Sequence, residues 1–206
     1  MIERRTPIIR RPEPLNQVSY AAIRPTLTEP LYVGLAADGS TLIERIIMQA
    51  TKSPYYHAFL IGHGGSDVFL LTESTAPRAQ VCVLSDRIRD LSGSIDIFRI
   101  KVAMDLAGAW DWSLRCAGNP YSLADDGLVW LDRYMGLAIR PIPNSNAPKG
   151  CHRDCSCQVH AALRTHGLQP MLWPAEWPYD CMVAPCDLCE QANPDVLEYV
   201  CTPTWP

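Results

Sequence analysis

The stretch "SPYYHAFLIGHGGSDVFLLTES", residues 53–74, contains two apolar runs that are separated by a glycine-containing turn. Each run is short, rich in aromatic and aliphatic residues, and bounded by turn-forming residues, which is typical of a β-strand. The turn "HGGS" suits a hairpin. His57 stands near the start of the first strand and Glu73 near the end of the second, 16 positions later. An antiparallel hairpin therefore brings His57 and Glu73 onto neighbouring strands.

The segments around the hairpin complete an α+β pattern. Ser40 is a suitable cap for a helix to about Lys52, because apolar residues recur there at helical spacing, and Ser53-Pro54 ends it. Residues 79–85 and 94–100 add two strands to a small, mostly antiparallel sheet. Helical patterns follow at residues 103–116, 123–137 and 155–166, the last of them ending at Gly167. The sequence predicts one α+β domain in which helices pack against this sheet.

The chain divides into a main domain and two terminal segments. Residues 1–30 carry five prolines and five arginines without helical or strand periodicity, which predicts an extended arm on the surface or on a partner. Residues 31–190 form the expected domain, and residues 191–206 form a tail that contains proline and tryptophan. We expect the tail to follow the surface without regular structure. The arm and the tail are candidate contacts to a larger protein assembly.

The composition argues against nucleic acid as a partner and against a membrane span. The net charge is −4 with 19% charged residues, and no basic stripe with interleaved aromatic residues occurs. No apolar run approaches the roughly 20 residues that a transmembrane helix needs. The arginines near the start are not followed by the apolar segment of a signal peptide. We therefore expect a soluble, cytoplasmic protein, while delivery as part of a larger assembly stays open.

A candidate nucleophile occurs in "CHRDCSCQVHAAL", residues 151–163. Asp154 is a suitable N-cap, so Cys155 becomes the first helical residue, where the helix dipole favours a thiolate. The first N–H groups of an α-helix point along its axis, and at this helix start they can bind an oxyanion. Helical geometry places Cys155 on the apolar face with Val159 and Leu163. These features predict that Cys155 is a nucleophile.

Cys157 is the alternative nucleophile, with Ser156 as its cap. Helical geometry points Cys157, Ala161 and Arg164 away from the apolar face. This orientation favours Cys155 over Cys157.

These motifs, in this order, resemble the circularly permuted papain-like amidases and peptidases of the YiiX and YaeF type, relatives of the NlpC-type cell-wall hydrolases. "SPYYHAFLIG" resembles the family's histidine strand, "FLLTES" its glutamate strand and "CSCQVHAALRTHGL" its cysteine helix. "DGSTLIERIIMQATKSPYYH" resembles the helix before the histidine, and "GNPYS" resembles a Gly-x-Pro-Tyr turn. The resemblance covers roughly residues 31–188. The chain departs from the family pattern at Tyr56, Cys157 and Gln158, where the family has Ser, Glu and Leu.

The resemblance implies a permuted papain-like fold and a catalytic triad of Cys155, His57 and Glu73. In such a triad the cysteine attacks a carbonyl, the histidine transfers the proton and the acid orients the imidazole. The implied function is a cysteine peptidase or amidase that acts on cell-wall peptide or on another amide or ester bond. Related lecithin:retinol acyltransferases transfer acyl chains, so an acyltransferase stays open. A catalytically inactive docking domain of the same fold is a further alternative.

The cysteines other than the candidate nucleophile indicate an alternative function, that of a metal-binding structural protein. The chain has nine cysteines, seven of them after residue 150, and the odd count without an export signal argues against a disulfide framework. Cys186 and Cys189 have the spacing of half a zinc or iron–sulfur site, which Cys151, Cys157 or Cys181 could complete. Such a site would make the protein a structural or assembly protein. We expect no bound metal or other cofactor, because only one cysteine pair is spaced for convergence on an ion.

Overall fold

The computed structural model describes residues 8–65, 68–121, 155–168 and 183–205. The helix expected at residues 123–137 and the cap expected at Asp154 lie outside these ranges. The strands in the described residues are β1 Gln17–Ser19, β2 Leu31–Ala37, β3 Tyr55–His63, β4 Phe69–Thr75, β5 Arg78–Val83, β6 Ser94–Ile100 and β7 Leu197–Thr204. The α-helices are α1 Leu42–Thr51, α2 Leu84–Asp90, α3 Leu106–Arg115 and α4 Cys155–Thr165.

The strands form one sheet in the order β1-β7-β6-β2-β3-β4-β5. Neighbouring strands are antiparallel except for β1 and β7, which are parallel. The four strands expected from the sequence are β3, β4, β5 and β6, while β1, β2 and β7 were not expected. The α+β class is therefore confirmed, with a larger sheet than the sequence indicated.

β2 lies at the centre of the sheet, and each of its residues is buried. Val33 and Leu35 contribute to the core on one face of the sheet, and Tyr32 and Ala36 contribute to the core on the other. A strand that is buried on both faces lacks the alternation of polar and apolar residues by which strands are recognised. Gly34 in its middle weakens the strand pattern further. These features explain why the central strand was missed.

The two faces of the sheet carry separate hydrophobic cores. One core includes residues of α3, α4 and the segment 183–189, and the other includes Leu84 of α2 and Ile23 of the N-terminal segment. Gly62 of β3 permits close approach of α3, since a Cβ there would lie 2.6 Å from the ring of Trp110. α4 contacts β3. The helix that begins at Cys155 is therefore packed on the strand that carries His57.

Thr41, rather than the expected Ser40, caps α1. The Thr41 hydroxyl accepts a hydrogen bond from the Glu44 backbone N–H at 3.3 Å, and the Glu44 carboxylate accepts one from the Thr41 N–H at 2.7 Å. This reciprocal capping box defines the helix start. Lys52 ends the helix with a left-handed backbone, φ 51°, and the chain then enters β3.

α2 is a short helix that the sequence analysis did not predict. It follows β5 directly, spans seven residues and has no side-chain hydrogen bond at its N-cap, Val83. A helix of two turns without a cap shows too little periodicity to be recognised. α2 matters for the site because it places Arg87 against Glu73 of β4.

The segment after α3 covers the outer edge of β5. The Ala79 N–H donates to the Asn119 carbonyl at 2.8 Å, and the Gly118 N–H donates to the Ala79 carbonyl at 2.8 Å. The Tyr121 N–H donates to the Pro77 carbonyl at 3.0 Å. These bonds satisfy backbone groups of an edge strand, and they fix the position of Tyr121.

The two terminal segments contribute strands to the sheet. β7 pairs with β6, and β1 pairs with β7, which corrects the expectation of a tail without regular structure. Pro203 lies inside β7, and prolines are common in the N-terminal segment. Proline is rare within strands. Pro203 in β7 and the prolines that precede β1 therefore kept both segments from being predicted as strands.

A buried carboxylate fastens the N-terminal segment to β6. Asp96 accepts hydrogen bonds from Arg11 Nε at 2.8 Å and from Arg11 Nη2 at 2.5 Å. The Tyr55 hydroxyl donates to the same carboxylate at 3.0 Å, and the Thr202 hydroxyl donates at 2.6 Å. These donors compensate for the loss of water around a charge. The arm, β3, β6 and β7 are thereby joined at one side chain.

We expect Arg11→Met to lower the free energy of unfolding by about 3 kcal/mol, because it leaves the buried Asp96 carboxylate without its cationic partner. Urea denaturation measures this loss. Arg99→Met is the matched control, since Arg99 pairs with Glu198 in solvent, with side chains 44% and 43% exposed, and exposed pairs contribute little. Equal losses in the two variants would contradict the role given to Asp96.

Candidate active site

The hairpin of β3 and β4 brings His57 and Glu73 into direct contact. Glu73 is paired with Phe59, which lies two residues after His57, so His57 and Glu73 face the same side of the sheet. His57 Nε2 lies 2.7 Å from Glu73 Oε2. Both residues are buried, Glu73 at 1% exposure and His57 at 8%. The contact is a hydrogen bond shielded from water.

Glu73 is held by donors from two further elements. Gln80 of β5 donates from Nε2 to Glu73 Oε1 at 2.8 Å. Arg87 of α2 lies with Nη2 3.0 Å from Glu73 Oε2. The Cys82 thiol lies 3.8 Å from Oε1. The two carboxylate oxygens are therefore engaged on both sides, which fixes the orientation of the carboxylate.

These contacts keep Glu73 ionised. Burial by itself raises the pKa of Glu73, but the hydrogen bond and charge of His57, the charge of Arg87 and the hydrogen bond of Gln80 together lower that pKa to about 2. The carboxylate is consequently an acceptor at any pH near neutrality, and it holds the His57 tautomer with a proton on Nε2.

The second ring nitrogen of His57, Nδ1, is available for chemistry. Within the part of the chain that the structure describes, the side-chain hydrogen bond of His57 is the one from Nε2 to Glu73. When Nε2 carries the proton, neutral Nδ1 is an acceptor. His57 thus has the form of a general base oriented by an acid.

Cys155 and His57 line one cavity of about 290 Å³. Cys155 is the first described residue of α4, and its exposure is 7%. The Ser156 hydroxyl next to it donates to the Val183 carbonyl at 2.6 Å, which attaches the helix start to the segment 183–185 on the cavity wall. The structure therefore brings the candidate nucleophile and the candidate base to a shared space, and the described hydrogen bonds do not join them directly.

The cavity wall carries both polar and apolar side chains. Tyr56, Thr75, Arg87 and Tyr121 line it together with Cys155 and His57. α1 supplies aliphatic side chains together with Glu44 and Thr51, and the segment 183–185 adds further apolar residues. Tyr121 belongs to the "GNPYS" motif. Burial and the charge of Glu44 raise the pKa of Tyr56 to about 12, so Tyr56 remains protonated in the ordinary range of pH.

Cys157 is buried, although it is not part of the hydrophobic core to which Val159 and Leu163 of α4 contribute. Residues 155–163 of α4 are all buried, and Cys157 and Ala161 are each 1% exposed. The helix therefore has no exposed face over this length, and among the described elements β3, β4, α3 and the turn Pro185–Leu188 pack on it. Cys157 is not among the residues that line the cavity. Its burial away from the cavity favours Cys155 as the nucleophile for a different reason from the one the sequence suggested.

The seven cysteines in the described residues are present as thiols. Burial raises the pKa of Cys189 and that of Cys201 to about 11. Burial, together with the Glu73 charge, also raises the pKa of Cys82. A raised pKa leaves little thiolate at neutral pH. These three thiols are therefore poor competitors for an electrophile.

The metal alternative is addressed only in part by the described residues. Cys186 and Cys189 lie in and next to a 3-10 turn, Pro185–Leu188, and the Cys189 thiol donates to the Cys186 carbonyl at 3.1 Å. Among the described residues no group of three or more His, Cys, Asp or Glu side chains is arranged to hold a metal ion. Cys151 and Cys181 lie outside those residues, so the four-cysteine hypothesis is not tested.

Two residues of the site, Gln80 and Arg87, were not predicted. Gln80 lies directly opposite Glu73 in the β4–β5 pairing, and a register assigned to the second hairpin would have found it. Arg87 had no usable signal, because its contact with Glu73 depends on α2, which the sequence analysis missed.

A comparison with models of protein families finds none that matches this chain, and a search of curated proteins finds no match. The family resemblance accordingly depends on the short motifs alone. In the described part of the chain, no helix has the length and apolar character needed to cross a membrane.

We expect iodoacetamide in limiting amount at neutral pH to label Cys155 first, because Cys155 lies at the start of α4 and lines the cavity that His57 also lines. Peptide mass spectrometry identifies the labelled residue. His57→Ala should slow this labelling several-fold, whereas His63→Ala, a change at an exposed residue at the end of β3, should not. Earlier labelling of Cys157 would contradict the assignment of the nucleophile.

The lowered pKa of Glu73 makes its contribution to stability dependent on pH. A carboxyl group with a pKa of about 2 in the folded protein and an ordinary pKa near 4.3 when unfolded stabilises the fold above pH 5. That contribution falls as the pH drops towards 2. Glu73→Gln should therefore be less stable than the parent by on the order of 3 kcal/mol at pH 7. Urea denaturation at pH 7 and pH 3 should show the gap narrowing at pH 3, and a gap independent of pH would contradict the ionised state.

Proposed function

We propose that the protein is a cysteine hydrolase that cleaves an amide or ester bond with a triad of Cys155, His57 and Glu73. The observation that carries the proposal is the buried hydrogen bond of His57 with an ionised Glu73, on the wall of a cavity that Cys155 also lines. Burial of a charged carboxylate has a desolvation cost that its ion pairs and hydrogen bonds have to offset, and buried titratable pairs of this kind are concentrated at functional sites. A thiol at a helix start is the partner on which such a pair can act.

The first half of the reaction transfers the acyl group to the enzyme. His57 Nδ1 takes the thiol proton as Cys155 Sγ forms a bond to the carbonyl carbon, and the carbonyl electron pair moves to oxygen. N–H groups at the start of α4 stabilise that oxyanion. The oxyanion then collapses, the bond to the amine or alcohol breaks, and His57 returns its proton to the leaving group. A thioester on Cys155 remains.

The second half releases the acid. Water occupies the place of the leaving group, and His57 Nδ1 takes its proton while the oxygen forms a bond to the thioester carbon. Collapse of the second intermediate breaks the carbon–sulfur bond, and the proton returns to the thiolate. Glu73 stays ionised and stabilises the imidazolium that forms in each half.

The chain order of the triad supports a permuted papain-like arrangement. His57 and Glu73 lie on consecutive strands and Cys155 begins a later helix that packs on the sheet, which is the order in the family that the motifs resemble. Within this proposal Tyr56, Cys157 and Gln158 are the departures from the family pattern, and of these only Tyr56 lines the cavity.

Hydrolysis of p-nitrophenyl acetate tests the proposal. We expect Cys155→Ala to remove all activity above background. Glu73→Gln should also lower kcat/KM, but by a factor about tenfold to a hundredfold smaller, since an orienting group costs less to lose than a nucleophile. His63→Ala, at the exposed end of β3, should retain the parent rate. Activity retained by Cys155→Ala would overturn the proposed function.

A further inference from the structure

α1 carries an apolar surface that the described part of the chain leaves exposed. Leu42 is 75% exposed, Ile43 71% and Ile46 41%. These are three of the seven large hydrophobic residues with exposed side chains in the described chain, and they lie within one helix turn. Clustered exposure of this kind marks a binding surface more often than scattered apolar residues do.

The exposed side chains are continuous with the candidate active site. At 100° per residue, Leu42, Ile46, Ala50, Ile43 and Ile47 form one arc of roughly 140° on α1. The far end of that arc, Ile43, Ile47 and Ala50, lines the cavity that contains Cys155 and His57. Val183, Ala184 and Pro185 line the same cavity. Within this arc an apolar surface therefore runs from the cavity wall out to solvent, while Glu44 and Thr51, which also line the cavity, lie beyond the Ile47 end of the arc.

The size of this surface argues for a small occupant. Three exposed aliphatic side chains offer roughly 300 Å², well below the roughly 800 Å² per partner of a stable protein interface. The exposed part of the arc is also short, because Leu42, Ile43 and Ile46 lie within five consecutive residues of one helix. A slender apolar chain matches its size and its connection to the cavity better than a second copy of the protein does.

We propose that this arc binds a long, unbranched apolar chain on the acyl side of the substrate. This inference depends on the proposed hydrolase function, and it names the substrate class as amides or esters of apolar carboxylic acids. The scissile carbonyl lies at Cys155, and the chain passes Ile47 and Ile43 and ends against Leu42 and Ile46. The acyl group stays bound to the enzyme through both halves of the reaction, whereas the leaving group departs after the first. A binding surface next to the nucleophile therefore suits the acyl group better than the leaving group.

The test compares p-nitrophenyl acetate with p-nitrophenyl octanoate, both below their micelle-forming concentrations. Each buried methylene is worth about fourfold in binding, so partial burial of the longer chain should raise kcat/KM at least about tenfold over acetate. The readout is the octanoate-to-acetate ratio within one protein, so changes in overall activity cancel. We expect Leu42→Gln with Ile46→Gln to reduce that ratio to about threefold or less. Glutamine is a good helix former, and both sites are exposed, so α1 should persist.

Val81→Gln is the matched control, since Val81 is a 38% exposed apolar residue on β5 outside the cavity wall. It should retain the parent ratio. A parent ratio near one, or a ratio unchanged in the α1 double variant, overturns the inference. Size-exclusion chromatography at assay concentration provides a further check. The inference is also overturned if the parent protein is a dimer and the double variant is a monomer.

A second readout separates this inference from the proposed hydrolysis. N-octylmaleimide and N-methylmaleimide alkylate thiols without turnover, and Cys155 should react faster with the octyl reagent in the parent than in the α1 double variant. If Cys155→Ala retains esterase activity, the hydrolase proposal fails. If activity requires Cys155 but neither the ester ratio nor the maleimide preference depends on Leu42 and Ile46, only the chain-binding inference fails.

Discussion

A carboxylate that is ionised and buried away from water needs hydrogen-bond donors or cationic partners. Glu73 takes such partners from three elements of the structure. β3 supplies His57, β5 supplies Gln80 and α2 supplies Arg87. A slip of β4 by one residue would turn Glu73 to the opposite face of the sheet and leave these donors without their acceptor. The buried charge of Glu73 is therefore satisfied only when β3, β4 and β5 pair in the observed register. Because the same registers place His57 on the cavity wall, the geometry of the candidate site follows from how one acid is buried.

Asp96 has the same role in the other half of the sheet. It is buried on β6 and is satisfied by Arg11 from the N-terminal segment, Tyr55 from β3 and Thr202 from β7. β3 contributes to both carboxylate clusters, through Tyr55 to Asp96 and through His57 to Glu73. The strand that carries the candidate base is thus anchored at two successive regions, which suits a side chain that has to hold a fixed orientation during proton transfer.

The sequence predicted the parts of this protein that depend on local pattern. The hairpin of β3 and β4 was visible because its strands have clear limits, and α4 was visible from the helical pattern that ends at Gly167. β2 was missed because burial on both faces removes alternation, and β7 because Pro203 interrupts its pattern. The pair of His57 and Glu73 followed from a register of adjacent strands. Arg87 and the cavity depend on contacts between distant segments, which no local pattern contains.

The family resemblance suggested the triad, but the reason to prefer Cys155 over Cys157 changed once the fold was known. Helical periodicity predicted one apolar face, whereas α4 is enclosed through Leu163. In an enclosed helix the hydrophobic pattern no longer identifies the side that faces a cavity. Position at the helix start does identify it, because Cys155 and Ser156 are the α4 residues that line the cavity.

The cover over β5 has a consequence for the behaviour of the protein in concentrated solution. An open edge strand offers unpaired N–H and C=O groups on which a strand of another molecule can be added. Residues 118–121 occupy part of that edge through the bonds of Ala79 and Pro77, and at the opposite edge β1 is only three residues long. Both ends of the sheet are therefore unsuited to extension by a neighbouring copy. The segment that positions Tyr121 at the cavity thus also protects the molecule against edge-to-edge aggregation.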